Sequence, residues 1–315
     1  MPSLKDIRRR ISSVKNTQQI TKAMKLVAAA RLRRAQQASS SAKPYSEKLE
    51  AIAQRVISEI LSTAGTMDSE KLEKFLTELH PLLSTGNLKL EEGAKRKVAV
   101  VVVSSDRGLC GAYNSNLSKF AIKTIAELKT DTSQEIHVFY YGKKGFESCS
   151  RRGVKGENVA NFWAGKFAPS KTDKVAQLFT EKFLAGEFQS IQVIYTQFKS
   201  VMTQTPSIKQ VLPLAVENID STSGLKSLGP EFLYEPSRVE VLAQLLPSLV
   251  KTQFYRFFAD SLASEFGSRM TAMDNATRNA GSMISRLTLE ANRVRQAAIT
   301  KELMEIVSGA EAIKG

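Results

Sequence analysis

At 315 residues, 42 % of them hydrophobic, the chain has enough apolar matter for one large or two ordinary folded domains, which excludes global disorder. Its formal charge of +14 is concentrated: residues 1–43 hold eleven Lys or Arg against one acid, Asp6, so this segment carries +10 and the other 272 residues only +4. Cys110 and Cys149 are too few for a disulfide scaffold and lack metal-ligand spacing, and His80 and His137 stand alone, so no metal is expected and the setting reads as reduced and intracellular.

The first predicted element is a helix over 3–43, a stretch without Gly or Pro. Apolar residues recur there at Leu4, Ile7, Ile11, Val14 and again at Ala28, Leu32, Ala35, the spacing of one helix face that must bury itself against a partner. Such a helix would run ~60 Å at 1.5 Å per residue. The start lacks an apolar core, so it reads as no secretory signal, and an amphipathic, Arg-rich transit peptide is not expected because the helical pattern runs straight on past residue 30. Residues 63–95, with Gly65, Gly86 and Gly93 around a short helical pattern at 70–83, read as a connector.

Strand–helix alternation follows. Residues 97–104 form a β-branched run of the buried type, uncharged past Lys97, and their apolar core at 98–103 is the longest in the chain, far short of a membrane span. Asn114 is expected to cap a helix to about Leu128; 136–141 is a second strand ended by Gly142, 172–184 a helix and 190–195 a third strand. This predicts a small Rossmann-like α/β domain with a mostly parallel sheet. A return linker spans 216–236. All nine prolines lie at or before Pro247, so a helix is expected over 248–308, ~90 Å long, interrupted only by Gly267 and Gly281. Within it Phe266, Met270, Met273, Thr277, Ala280, Ile284, Leu287, Ala291, Val294 and Ala298 keep a heptad. The fold expected is therefore α/β: a long antiparallel coiled coil of the N- and C-terminal helices plus the small α/β domain. Its divisions are 1–62 (N-terminal helix), 63–95 (connector), 96–236 (α/β domain with return linker) and 237–315 (C-terminal helix).

Gly108 and Gly111 after the first strand resemble half of a dinucleotide fingerprint, but its first Gly-x-Gly and the lysine of a phosphate loop are missing. Ser105 and Asp106 stand where a catalytic pair could, yet no His, paired acid or metal cluster accompanies them, so they read as turn and cap residues.

Three segments carry a family resemblance. Leu4-Lys5-Asp6-Ile7-Arg8-Arg9-Arg10-Ile11 leading to Asn16-Thr17-Gln18-Gln19-Ile20-Thr21-Lys22-Ala23-Met24, Ser104-Ser105-Asp106-Arg107-Gly108-Leu109-Cys110-Gly111, and Ile299-Thr300-Lys301-Glu302-Leu303-Met304-Glu305-Ile306-Val307-Ser308-Gly309-Ala310 resemble the gamma subunits of F-type ATP synthases. The resemblance runs from residue 4 to 312 and implies a central-stalk rotor without a catalytic site or cofactor of its own. Its terminal helices would stand in the bore of a hexamer of alpha and beta subunits. An asymmetric rod there would set three equivalent catalytic sites in different states, and moving one site from 1:99 to 99:1 takes ~5.5 kcal/mol of differential contact. By motif match, Met24, Arg269, Arg295 and Gln296 would face the hydrogen-bonding catch loops of the hexamer, while Phe232, Tyr234 and Glu235 would lie at the foot, against the membrane c-ring. The epsilon subunit is a further implied partner. The implied location is peripheral, on the cytoplasmic face of a bacterial inner membrane, or the equivalent for a mature organellar chain.

Two other readings start from the residues alone. A basic coiled coil could bind nucleic acid, but it lacks interleaved aromatics and a reading module. An enzyme built on the α/β domain would lack its phosphate loop.

Overall fold

The computed structural model describes residues 3–64, 69–83, 95–159, 162–164, 167–214 and 234–314. The chain divides into two compact units, one of Met1–Ala30 with Arg269–Gly315 and one of Arg31–Ser268. Two helices are shared between them: α1, Leu4–Ala64, and α6, Arg238–Lys314. Both begin with the same device. Ser3 Oγ receives the Asp6 amide at 3.2 Å and donates to the Asp6 carboxylate at 2.7 Å, and Ser237 does the same with Glu240 at 3.2 and 3.1 Å. Each satisfies one orphan amide at the helix start, and the carboxylate three residues on accepts the serine's own proton.

In the larger unit a five-stranded sheet has the order β3-β2-β1-β4-β5. Its strands are β1 (Arg96–Val103), β2 (Gln134–Tyr141), β3 (Glu157–Val159), β4 (Ser190–Phe198) and β5 (Gln204–Leu212). All neighbours are parallel except β4 and β5. The valine run of β1 is explained by its central place. Ala99, Val101 and Val103 enter the core on one face with Phe179 of α5 (Pro169–Leu184), Val56 of α1 and Phe254 of α6. Val98, Val100 and Val102 enter the core on the other face with Leu117 and Ile125 of α3 (Tyr113–Thr130) and Cys149 of α4 (Lys143–Ser150). A strand buried on both faces has no polar alternation to show. Helix α2 (Ser69–Leu79) and the 3-10 turn Pro81–Leu83 add Leu76, Leu82 and Leu83 to the first core, so part of the expected connector is structural.

Several expectations are corrected. Strands β3 and β5 and helix α4 were not expected. The long helices do not stop at proline: α1 runs on through Pro44, and α6 starts ten residues before 248 with Pro247 inside it. A proline inside a helix costs ~3 kcal/mol through a lost hydrogen bond and a clash. The stranded carbonyls belong to Ser40 and Ala243, both exposed and open to water, and the buried residues beyond each proline (Leu49, Ala53 and Val56; Leu249, Val250 and Phe254) hold the helix on course. Asn114 is not a cap. It lies inside α3, whose N-cap is Ala112, and its Oδ1 accepts the Ser105 hydroxyl at 2.9 Å.

Antiparallel pairing of α1 with α6 is seen in both units. In the larger one Glu59 meets Arg238, Ser39 meets Asp260, and Arg31 lies over the Phe266 ring. Here α6 also packs on the sheet through Leu242, Leu246, Phe254 and Phe258, a role the heptad did not announce. In the smaller unit Lys25 Nζ pairs with Asp274 at 2.5 Å, Thr277 Oγ1 donates to Thr21 Oγ1 at 2.9 Å, and Ile7 packs with Leu287 and Ala291. Lys25 and then Arg278 hold the Asp274 carboxyl below the usual range. The expected heptad is the buried seam as far as Val294, with Ala28 facing it from α1.

Candidate partner-binding surfaces

The residues expected at the catch lie at two levels of the helix pair. Met24 is half-buried, one residue from the Lys25–Asp274 pair, which sets it level with the 269–277 stretch of α6. Arg269, at that level, is only 8 % exposed. Arg295 and Gln296 are fully on the surface, some twenty residues further along α6, or roughly 30 Å at the helical rise. The structure therefore does not bring the four together as one cluster. Around the first level Ile20, Leu26 and Val27 are exposed, and beyond Val294 every residue to Gly309 is exposed. That last stretch includes Ile299, Leu303, Met304, Ile306 and Val307, with 50–67 % of their surface open. A run of large aliphatics on a helix end with no cover from the described residues is a candidate interaction surface.

At the expected foot, Phe232 lies outside the described residues. Tyr234 is half-buried against the sheet core, and the Arg238 guanidinium sits 5.6 Å from its ring centre. Glu59 binds the arrangement: its carboxylate takes Arg55 Nε at 2.9 Å and Arg238 Nε at 3.4 Å. Burial, and then the neighbouring Glu59, raise the Tyr234 phenol above its usual range. Tyr234 is thus an anchor between the ends of α1 and α6, while Glu235 next to it is exposed. Sequence reading missed Glu59 and Arg238, because nothing local marks an ion pair between residues so far apart.

The β1–α3 loop shows why Ser105 and Asp106 are structural. The Ser105 hydroxyl lies within bonding distance of the Arg107 carbonyl (2.8 Å) and Asn114 Oδ1, and Asp106 Oδ1 accepts the Lys143 amide at 3.0 Å, at the start of α4. Ser104, fully buried, donates to the Gly142 carbonyl and accepts the Gly145 amide, both at 2.9 Å, and its own carbonyl receives Trp163 Nε1 at 2.7 Å. Gly142 has φ +127°, and a Cβ there would stand 2.3 Å from the Ser104 oxygen. Open α/β sheets bind ligands in the crevice where strand order reverses, here between the carboxyl ends of β1 and β4. That space holds protein: the Thr196 amide donates to Ser261 Oγ of α6 at 3.3 Å, and Ser264 Oγ donates to the Thr196 carbonyl at 3.1 Å. Tyr113 is buried beside them, its phenol pushed far up by burial and then by Glu265. Among the described residues no His, Cys, Asp and Glu group could hold a metal, and no helix is long and apolar enough to cross a membrane.

A family model described as ATP synthase matches residues 3–313. The ATP synthase gamma chain of Geobacter metallireducens is 42 % identical over 315 residues, with both chains fully covered. That of Rhizobium johnstonii is 38 % identical over 325 residues, covering 99 % of this chain and all of the relative. Among solved structures, a chain of the Euglena gracilis mitochondrial ATP synthase assembly of OSCP, F1 and c-ring aligns with a TM-score of 0.60 at 16 % identity, covering 98 % of this chain and 94 % of that one. A chain of the rotor of the same synthase aligns at 0.54 and 14 % identity, covering 94 % and 98 %. At such identities the structures speak for the fold, and it is the same fold. Full-length identity of this order, together with the family match, places the chain in the ATP synthase gamma-chain family.

Proposed function

We propose that the chain is the rotor that couples turning of a proton-driven membrane c-ring to conformational cycling of an alpha–beta catalytic hexamer, with no catalytic site or cofactor of its own. The observation that carries this is the exposed aliphatic end of α6 from Ile299 to Val307, adjoining Arg295 and Gln296. None of the described residues covers it, and a bore lined by other subunits supplies a cover on all sides at once. Arg and Gln there can offer several directional donors to carbonyl and carboxylate partners, so their contact energy changes with angle. At the other level we assign a second contact, by motif match, to Met24, which offers apolar surface rather than donors, and to Arg269, whose side chain is largely covered by this chain. Exposed Arg8, Arg9 and Arg10 sweep ~200° around α1 at 100° per residue, which suits long-range attraction from every side better than a one-sided nucleic-acid groove.

We assign the c-ring contact, by motif match, to Phe232, Tyr234 and Glu235, of which Tyr234 is held by Glu59 and Arg238 and Glu235 is exposed, and the epsilon subunit binds nearby on the stalk. The protein is peripheral, on the cytoplasmic face of a bacterial inner membrane. The test is co-purification and complementation. The tagged chain should bring down alpha and beta subunits and restore ATP-driven proton pumping to membranes lacking their own gamma chain. Recovery of the chain alone, or ATP turnover by the isolated chain, would refute the reading.

A further inference from the structure

We propose that a polar clamp on residues 260–268 of α6 fixes the angular setting of that helix against the sheet, making Ser39, Thr196, Gln204, Ser261 and Ser264 positioning residues for rotary coupling. The proposal rests on the rotor reading above.

Along 242–258 the buried side of α6 is apolar: Leu242, Leu246, Leu249, Val250, Phe254, Phe257 and Phe258. Such contacts are non-directional, so they hold a helix down without choosing one angle about its axis. The next turns differ. Asp260, Ser261, Ser264 and Glu265 are all buried. Asp260 Oδ1 accepts the Ser39 hydroxyl of α1 at 2.9 Å. The paired β1 and β4 end at Ile194, and beyond that point both backbone groups of Thr196 are taken by Ser261 and Ser264, which stand where a neighbouring strand would continue. Ser268 Oγ donates to Gln204 Oε1 of β5, whose amide donates to the Val201 carbonyl at 2.9 Å. Gly267 permits this approach, since a Cβ there would meet Gln204 Nε2 at 3.0 Å and the Phe198 ring at 3.3 Å.

At 100° per residue, the bonds from Asp260 to Ser261 cover an arc of ~100°. Three elements, α1, β4 and β5, hold one short stretch of helix from directions that a rotation cannot satisfy together. Hydrogen bonds weaken steeply off angle, and a turned helix would leave buried hydroxyls, a carboxylate and the Thr196 backbone without partners. Torque entering the sheet-bearing unit is thereby passed to α6 as rotation rather than lost as slip.

The experiment uses the assembled synthase in sealed vesicles and reads protons pumped per ATP hydrolysed. Ser261→Ala with Ser264→Ala should lower that ratio roughly twofold or more, with ATP hydrolysis itself retained. Ser264→Thr, which keeps the hydroxyl, should hold the wild-type ratio; a merely structural role would lower assembly and leave the ratio alone. If the double variant does not assemble, Ser39→Ala with Gln204→Ala at the part-buried edge of the clamp replaces it, with the same fall expected. An unchanged ratio in whichever alanine pair assembles overturns the clamp. Failure of the wild-type chain to support any pumping would instead overturn the rotor reading.

Discussion

Ile7→Ala tests the seam at the point where the two terminal helices meet. Ile7 is 1 % exposed and packs with Leu287 and Ala291, with Leu4, Ile11, Val14 and Val294 at the margins. Removing three carbons at ~0.8 kcal/mol per methylene loses about 2.4 kcal/mol. The seam is only two helices thick and open to water at its sides, so little cavity is left to add to this, and the total falls near the lower end of the ~2–5 kcal/mol range for such truncations. The pair can open locally from this end without unfolding the sheet, so the loss appears as fraying. Amide exchange at residues 8–12 should therefore speed up roughly fiftyfold, at about 1.4 kcal/mol per factor of ten, while amides of β1 stay as they were. Leu289→Ala is the control. It removes a similar side chain from the same region of α6, but Leu289 is 72 % exposed, and a surface truncation should stay within ~0.5 kcal/mol. Equal exchange rates in the two variants would show that the seam does not hold this end together.

Arg295→Ala with Gln296→Ala should leave the unfolding of the isolated chain within ~0.5 kcal/mol of wild type, because both residues are exposed, yet lower ATP turnover by the assembled complex; full turnover and coupling would refute the catch assignment. Gly142→Ala should destabilise the sheet-bearing unit by about 3 kcal/mol or more in urea unfolding, since φ is +127° and the added carbon would lie 2.3 Å from the Ser104 oxygen. His80 is held below its ordinary pKa of 6.5 by burial, and its Nδ1 accepts the Leu82 amide at 3.1 Å, so the neutral ring is the bound form. With the folded value depressed, its contribution is complete above 6.5 and is lost as pH falls through the folded pKa. Protection of the Leu82 amide, corrected for intrinsic exchange, should fall between neutral pH and pH ~5 in the wild type and show no such trend in His80→Gln.

The parts of the fold that could be read from the residues are those with a strong period. The heptad from Phe266 to Val294 survives as the seam because a two-helix contact has no other way to be built, and β1 shows itself because both of its faces are covered. Strand β5 hides for the opposite reason: Gln204–Leu212 is an edge strand with Pro206 and polar residues, held by pairing with β4 more than by burial. Strand β3 is three residues long, too short for any period to show. The proline-free runs 3–43 and 248–308 stop short of α1 and α6, whereas the divisions 1–62 and 237–315 lie close to them; burial of Leu49 and Val250 in the sheet core carries each helix past its proline. At the proposed foot, the motif match singles out Tyr234 and Glu235, but the Glu59 carboxylate that holds the tyrosine and Arg238 together comes from the other helix.

Pairing the two ends of a chain has a cost in time. Lys25 and Asp274 are 249 residues apart, and Gln18 reaches the Thr277 carbonyl across 259. Contacts of such high sequence separation form last. At ~5–20 residues per second of synthesis, the apolar stripe of α1 waits on the order of tens of seconds for its partner to be made. During that interval Ile7, Ile11, Val14 and Ala28 have nothing to bury against, and a hydrophobic helix in that position would aggregate. Eleven positive charges distributed around the same helix repel other copies of it, so the density of Lys and Arg over residues 1–43 opposes self-association of the unfinished chain.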